Sequence, residues 1–280
     1  NTYLLEILKK YRSVLGIVGS TTEAGFDTQI QLTRNQLEND TASIQVTNSA
    51  VSPDRLDIDV RVTNRTGHKL PTSYPSRRAW VHIKVSKGGA VIFESGKPDP
   101  TTGYLSTDAG RLSPDCMASE KLSGFTNDGC FEPHRDVITD DSQIAIYEAV
   151  LGDTNDHITH TLLLANSYLK DNRLVPEGFT NTKAATIDSQ TLPVGVSGDT
   201  DFNCVAAAEG CGQDTVHYQI PLSGQDAPFD VEVRLLYQAL QPGFVDGLHA
   251  HEERVSRFKV MYQETPPITE VLAYEVTQVN

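Results

Sequence analysis

The chain has 280 residues, 38% hydrophobic and 21% charged, with a formal net charge of −14. That length buries a sizeable core, in one large domain or two smaller ones, and the acidity sets the molecule against nucleic acid and anionic membrane surfaces while favouring a basic partner or a cationic ligand. No apolar run approaches the roughly 20 residues that span a bilayer, and the first residues open into a helical pattern with no signal-peptide layout.

Leu4, Leu5, Ile7, Leu8, Tyr11, Val14 and Leu15 recur with a helical period, opposite Lys9, Lys10 and Arg12. Gly16 and Gly19 end that helix, and Phe26, Ile30, Thr33 and Leu37 mark a second one to about residue 40. From Ala42 the pattern switches to alternation, and Ser52-Pro53-Asp54 reads as a hairpin turn. Leu56, Ile58, Val60 and Val62 then form one face of a strand, as do Ala79, Val81, Ile83 and Val85, with Trp80, His82 and Lys84 on the other face. Joining these strands is the loop 63–80, stiffened by Pro71 and Pro75 and able to turn at Gly67. Polar residues on a loop braced by a sheet suggest a recognition surface, although a plain crossover between strands fits the same residues.

Lys87-Gly88-Gly89 predicts a tight hairpin, after which some forty residues form a long excursion. Regular pattern resumes over 136–151 and pairs with 157–164 as another hairpin, and 166–213 is again irregular. Alternation returns at Val216, Tyr218 and Ile220 and at Val231, Val233 and Leu235; Pro242 opens a helix carrying Val245, Leu248, Val255 and Phe258, and Leu272, Tyr274 and Val276 close the chain as a strand. The expected architecture is mainly β: an antiparallel β-sandwich of eight to ten strands with N-terminal helices and one C-terminal-region helix packed outside it. The expected division is a helical segment 1–41 and a β-sandwich domain 42–280, the helix stripe being offered to a partner.

Cys116 lies near Cys130 and Cys204 near Cys211, each pair inside a Gly/Asp/Ser-rich loop. We read two disulfides, each stabilising the fold by roughly 2.5 to 3 kcal/mol through loop closure, which implies an oxidising compartment. Zinc would require four thiolates from two distant loops to converge.

Two histidines have the setting of a ligand. His68 follows Gly67 on the stiffened loop, and His134 sits in Glu132-Pro133-His134; imidazole suits transition metals and haem iron, while the competing roles are a ring tied to its own loop carbonyls and an ordered loop histidine. His157 with His160 and His249 with His251 have spacings that prevent joint chelation and read as solvent-facing. Asp153-Thr154-Asn155-Asp156 and Asp199-Thr200-Asp201 resemble fragments of calcium loops but lack the length and closing Glu of an EF-hand. The nucleophile-elbow, phosphate-loop, dinucleotide and zinc-protease motifs are missing, so we expect no enzyme, and without Cys-x-x-Cys-His the stretch attaches no c-type haem by the usual route.

The block from Val62-Thr63-Asn64-Arg65-Thr66-Gly67-His68-Lys69-Leu70-Pro71-Thr72 to Pro75-Ser76-Arg77-Arg78-Ala79-Trp80 resembles the C-terminal, haem-free part of a family of multihaem c-type cytochromes of bacterial envelopes. Glu132-Pro133-His134, Ile146-Tyr147-Glu148, Tyr168-Leu169-Lys170-Asp171-Asn172-Arg173-Leu174 with Pro176, and Leu235-Leu236-Tyr237-Gln238 extend the resemblance in order over most of the chain. Ser73 departs from it where Gly is expected, and so do both cysteine pairs. The resemblance implies a non-catalytic segment, periplasmic or at the cell surface, that shields or ligates haem c carried by an adjoining region or subunit. His68 would then face a haem, and Arg77 or Arg78 its propionates. The alternative is an independent extracellular binding or assembly module recognising a protein partner or glycan.

Overall fold

A computed structural model describes residues 1–17, 19, 21–118, 123–124, 126–183, 192–204, 209–248 and 252–280. The protein is mainly β, as its alternating stretches require, with eleven strands in two sheets among the described residues. The first sheet has the order β1 (Ala42–Val51), β2 (Arg55–Asn64), β9 (Gln213–Pro221), β5 (Val137–Ile138). The second runs β11 (Glu270–Val279), β10 (Phe229–Gln238), β3 (Arg78–Lys87), β6 (Ile146–Gly152), β7 (Ile158–Thr159), with β4 (Ala90–Ser95) on β3 and β8 (Ser167–Asp171) on β6. One core joins them: Leu56, Ile58, Val60, Val216 and Tyr218 from the first sheet meet Val81, Ile83, Val231, Val233 and Leu272 from the second.

The expected hairpins β1–β2, β3–β4 and β6–β7 are present and antiparallel. β5 is the exception to an all-antiparallel pattern, pairing parallel with β9. It arrives from a long excursion, not a tight turn, and a chain entering from the far end can pair in either direction. Residues 136–151 are not one strand either, because Asp140 accepts the Ser142 N–H and Gln143 the Thr139 N–H in a turn between β5 and β6. β8 had no legible alternation, since its Lys170 and Asp171 are buried ions where a strand pattern would show apolar residues.

Trp80 corrects the half-buried reading of β3. Its side chain lies on the face away from the main core, yet it is fully buried under Leu105, Ile144, Ile146 and Leu236. The excursion after β4 folds back over this face, and the indole N–H donates to the Gly96 carbonyl at 2.7 Å. Only glycine serves at 96: φ is +78° and a Cβ would lie 2.3 Å from the Val81 carbonyl oxygen.

The N-terminal stripe is only partly buried within the chain, since Leu8, Val14 and Leu15 stay exposed. Tyr3 and Ile7 of α1 (Thr2–Lys10) pack on Met261, and the Tyr3 hydroxyl donates to the carbonyls of Tyr262 and Thr265. Helix α2 (Glu23–Asp40) buries Phe26 and Ile30, and its Arg34 pairs with Glu270 at the start of β11. Two short helices, α3 (Asp108–Arg111) and α4 (Pro114–Met117), lie in the excursion, and the expected single C-terminal helix is two, α5 (Pro242–Gly247) and α6 (Glu253–Gln263). His249 and His251 lie outside the described residues.

Both cysteine pairs are disulfides, with Cα separations of 5.5 Å for Cys116–Cys130 and 5.7 Å for Cys204–Cys211. The first is also core, because Cys116 and Cys130 form an apolar cluster with Val150 and Ile158. Replacing Cys116 and Cys130 together by Ala is therefore expected to cost about 3 kcal/mol from loop closure plus the packing of two buried side chains, read from urea unfolding. An unchanged midpoint would show that the link only decorates the surface.

Candidate functional site

The loop between β2 and β3 is tied at both ends by buried groups. The Asn64 amide donates to the carbonyls of His68 at 2.7 Å and Leu174 at 2.9 Å, while its oxygen accepts the Thr66 N–H at 2.8 Å. Leu70 and Leu174 exchange backbone hydrogen bonds at 2.8 Å. Buried Asp171 takes Lys69 at 2.6 Å and Arg173 at 2.6 Å, and Arg173 reaches the Ser73 carbonyl at 3.0 Å. Ser73 itself has φ +72°, the left-handed region that explains why glycine is the residue expected there. On the other flank Gln241 donates to the carbonyls of Pro75 and Ser76. The conformation is thus fixed by the segment 171–174 and by Gln241 as much as by its prolines.

His68 sits on this frame with its backbone bonded and its imidazole exposed, and the ring makes no hydrogen bond among the described residues. The alternative of a ring tied to its own loop carbonyls is not what the chain adopts. The side chain lines a groove of about 290 Å³ together with Leu37, Pro71, Arg77, Tyr237 and Leu272. Arg77 is partly exposed there and donates to the Thr72 carbonyl at 3.0 Å. Its neighbour Arg78 is in a different world: fully buried, it binds both carboxylate oxygens of Asp108 at 2.7 and 2.9 Å and donates to Gln238 and Gly103. Arg78 opens β3 and turns inward to Asp108, while Arg77 precedes the strand and stays at the groove, so of the expected pair only Arg77 is placed for an external anion.

His134 is likewise committed inward. Its Nε2 lies 2.7 Å from Asp199 and its Nδ1 3.0 Å from the Asn172 amide nitrogen, with Phe202 edge-on at 5.5 Å. The Asn172 oxygen accepts the Glu148 N–H and its nitrogen donates to the Ile146 carbonyl, so the amide cannot be reversed. Nδ1 therefore accepts, Nε2 carries the proton, and neither nitrogen is left for a metal. Burial alone would raise the Asp199 carboxyl, but the hydrogen bond from His134 and the N–H groups of Phe202 and Asp201 hold it down at about 2. Asp214 beside it takes the Tyr147 hydroxyl at 2.7 Å, and burial with the Asp199 charge pushes its carboxyl well up.

The calcium-like fragments resolve into turns. Asp153 accepts the N–H groups of Asn155 and His157, and Asp199 those of Asp201 and Phe202. His160 is half-buried against Phe244 at 6.0 Å instead of facing solvent.

One cluster escaped the sequence reading. On the outer face of β9, His217 meets Asp59 of β2 at 2.7 Å through Nδ1 and faces Asp201 at 3.3 Å and Asp136 at 3.7 Å through Nε2. Burial would lower the imidazole pKa, but the three carboxylates outweigh it and raise it. Burial and the Asp199 charge in turn push Asp136 and Asp201 up. The only local hint in the sequence was Asp201, within a fragment whose other acid turns away.

Among the described residues no helix is long and apolar enough to cross a membrane. No protein-family model matches the sequence, and neither does any curated protein. Among solved structures, a penta-heme cytochrome c552 from Thermochromatium tepidum is similar over 88% of this chain, with a TM-score of 0.45 and 13% identity. The chain spans 41% of that protein's length.

Proposed function

We propose that this chain is the non-catalytic β segment of a multihaem electron-transfer protein working in the periplasm or at the cell surface, and that it screens and ligates a haem c carried by an adjoining region or a separate subunit. The observation that carries this reading is the free imidazole of His68, held on a pinned loop at an apolar groove with Arg77 beside it. A ligand already ordered before docking loses little entropy when it binds, and a guanidinium at the rim suits a propionate. Two disulfides fit an oxidising compartment, and a net charge of −14 disfavours nucleic acid as a partner.

The test is titration of the protein with a soluble haem c peptide that has one vacant axial position, followed by visible absorption. Parent protein should convert the haem to a six-coordinate low-spin spectrum, and His68→Ala should weaken that conversion at least tenfold. Identical spectra and affinities for the two would end the proposal.

One surface feature favours a second reading, an independent extracellular module that binds another protein. Leu162, Leu163 and Leu164 project from a single 3₁₀ turn, Leu163 being 97% exposed, and Leu162 shares a groove with Pro75 of the central loop. A Soret band with c-type features in native material supports the first reading only.

A further inference from the structure

The His217 cluster lies outside the proposed haem face and is independent of it. The four-stranded sheet holds its parts from both sides: Asp59 is the cross-strand partner of His217 on β2, and on the β5 side the His217 N–H donates to the Asp136 carbonyl at 2.8 Å. Asp201 comes from the loop before β9, where the Thr215 N–H contacts its carboxylate at 3.4 Å.

The 2.7 Å contact with Asp59 makes Nδ1 the protonated nitrogen and aims Nε2 at the other two carboxylates. This carboxylate–imidazole arrangement is the one that orients histidine ligands of metals. A proton on Nε2, which the carboxylates favour, still leaves part of the cluster unmatched. It reaches Asp201 at a long 3.3 Å, while 3.7 Å to Asp136 is beyond a hydrogen bond, and Asp136 Oδ1 is buried with no partner among the described residues. A single cation would satisfy all three atoms.

We propose that His217 Nε2, Asp136 and Asp201 form a site for one divalent first-row transition ion, with Asp59 holding the imidazole in its ligating tautomer. The three donor atoms lie within 4.8 Å of one another, a spacing that bonds of about 2.0–2.2 Å to a central ion close with small side-chain shifts. Two carboxylates and a neutral imidazole balance the ion's charge, and the nitrogen donor selects zinc, cobalt or nickel over calcium or magnesium. Each ligand side chain is about a third exposed, so water completes the coordination on the open side. The His134 group offers no such site, since both of its ring nitrogens are taken.

Calorimetric titration of the chelator-treated full chain with Zn²⁺ at neutral pH tests this. The expected result is one ion per chain in the micromolar range, weakened at least tenfold by His217→Gln and by Asp201→Asn, and on the order of tenfold by Asp59→Asn through loss of the orienting bond. Thermal melts of the metal-free variants establish that they fold. On the unaltered protein, paramagnetic Co²⁺ should broaden the His217 ring protons before those of any other histidine. Absence of binding at millimolar Zn²⁺, tighter binding of Ca²⁺ than of Zn²⁺, or an affinity that follows His68→Ala instead of His217→Gln would overturn the site.

Discussion

Glu148→Ala is expected to destabilise the protein by about 3–5 kcal/mol, because it strips the counter-charge from two buried cations at once. Glu148 is fully buried, with its Oε1 2.8 Å from Arg111 and 3.3 Å from the Lys170 ammonium. Arg111 also donates to Gln241, and Lys170 to the carbonyls of Glu132 and Ile146. The network therefore connects β6, β8 and α3 to the residue that pins Pro75 and Ser76. Loss of Glu148 should accelerate hydrogen exchange in 66–77 as well as lower the urea midpoint; a midpoint shift with an unchanged loop would separate the network from the His68 frame.

The same residue sets an acid limit. Burial would raise the Glu148 carboxyl, but Arg111 and Lys170 outweigh it and hold it at about 2, while burial and Arg111 push Lys170 down. A folded-state value below the unfolded value of about 4.3 contributes stability above that pH, and the contribution is lost as pH falls towards 2. Unfolding midpoints should drop across that window in the parent and drop less in Glu148→Gln. Parallel pH profiles would assign the acid sensitivity elsewhere.

Arg78→Met should be the second severe substitution, also about 3–5 kcal/mol, because it leaves Asp108 ionised and buried. Arg78 fills a space against Trp80, 5.4 Å from the ring, and holds Asp108, Gln238 and the Gly103 carbonyl together. Asp108 is needed in part for the Leu105 N–H, which it accepts at 2.8 Å, so Asn is the partner substitution that keeps an acceptor. Arg78→Met with Asp108→Asn should recover much of the loss, since the pair then disappears without an orphan charge. Energies that add to within about 0.5 kcal/mol would mean that the ion pair is not what stabilises this face. The haem-peptide affinity of the folded double variant should equal that of the parent, whereas Arg77→Ala should lower it.

Alternation in 56–62, 79–85, 216–220 and 231–235 was enough to establish a mainly β protein, because a half-buried strand must place apolar residues on every second position whatever its partners are. Hairpin turns were legible for the same reason, being decided by a few adjacent residues, and so were the two cysteine pairs and, to within two residues at each end, the loop before Trp80. Period-two reasoning assumes that the second face of a strand meets water, and it failed at Trp80 and Arg78, where the excursion after β4 covers that face. It failed at β8 because buried Lys170 and Asp171 erase the pattern they would otherwise follow. Asp171, Asn172 and Arg173 were visible as a block but not as the brace of the His68 loop, since their partners are Lys69, Ser73 and His134. The His217 cluster was the least legible of all. Its four side chains come from β2, the approach to β5, the loop before β9 and β9 itself, and only the cross-strand register of Asp59 with His217 and the parallel pairing of β5 bring them together. A contact made by residues so far apart leaves no spacing in the chain to read, because sheet register is decided by the packing of whole faces and not by the charged residues that the register happens to align.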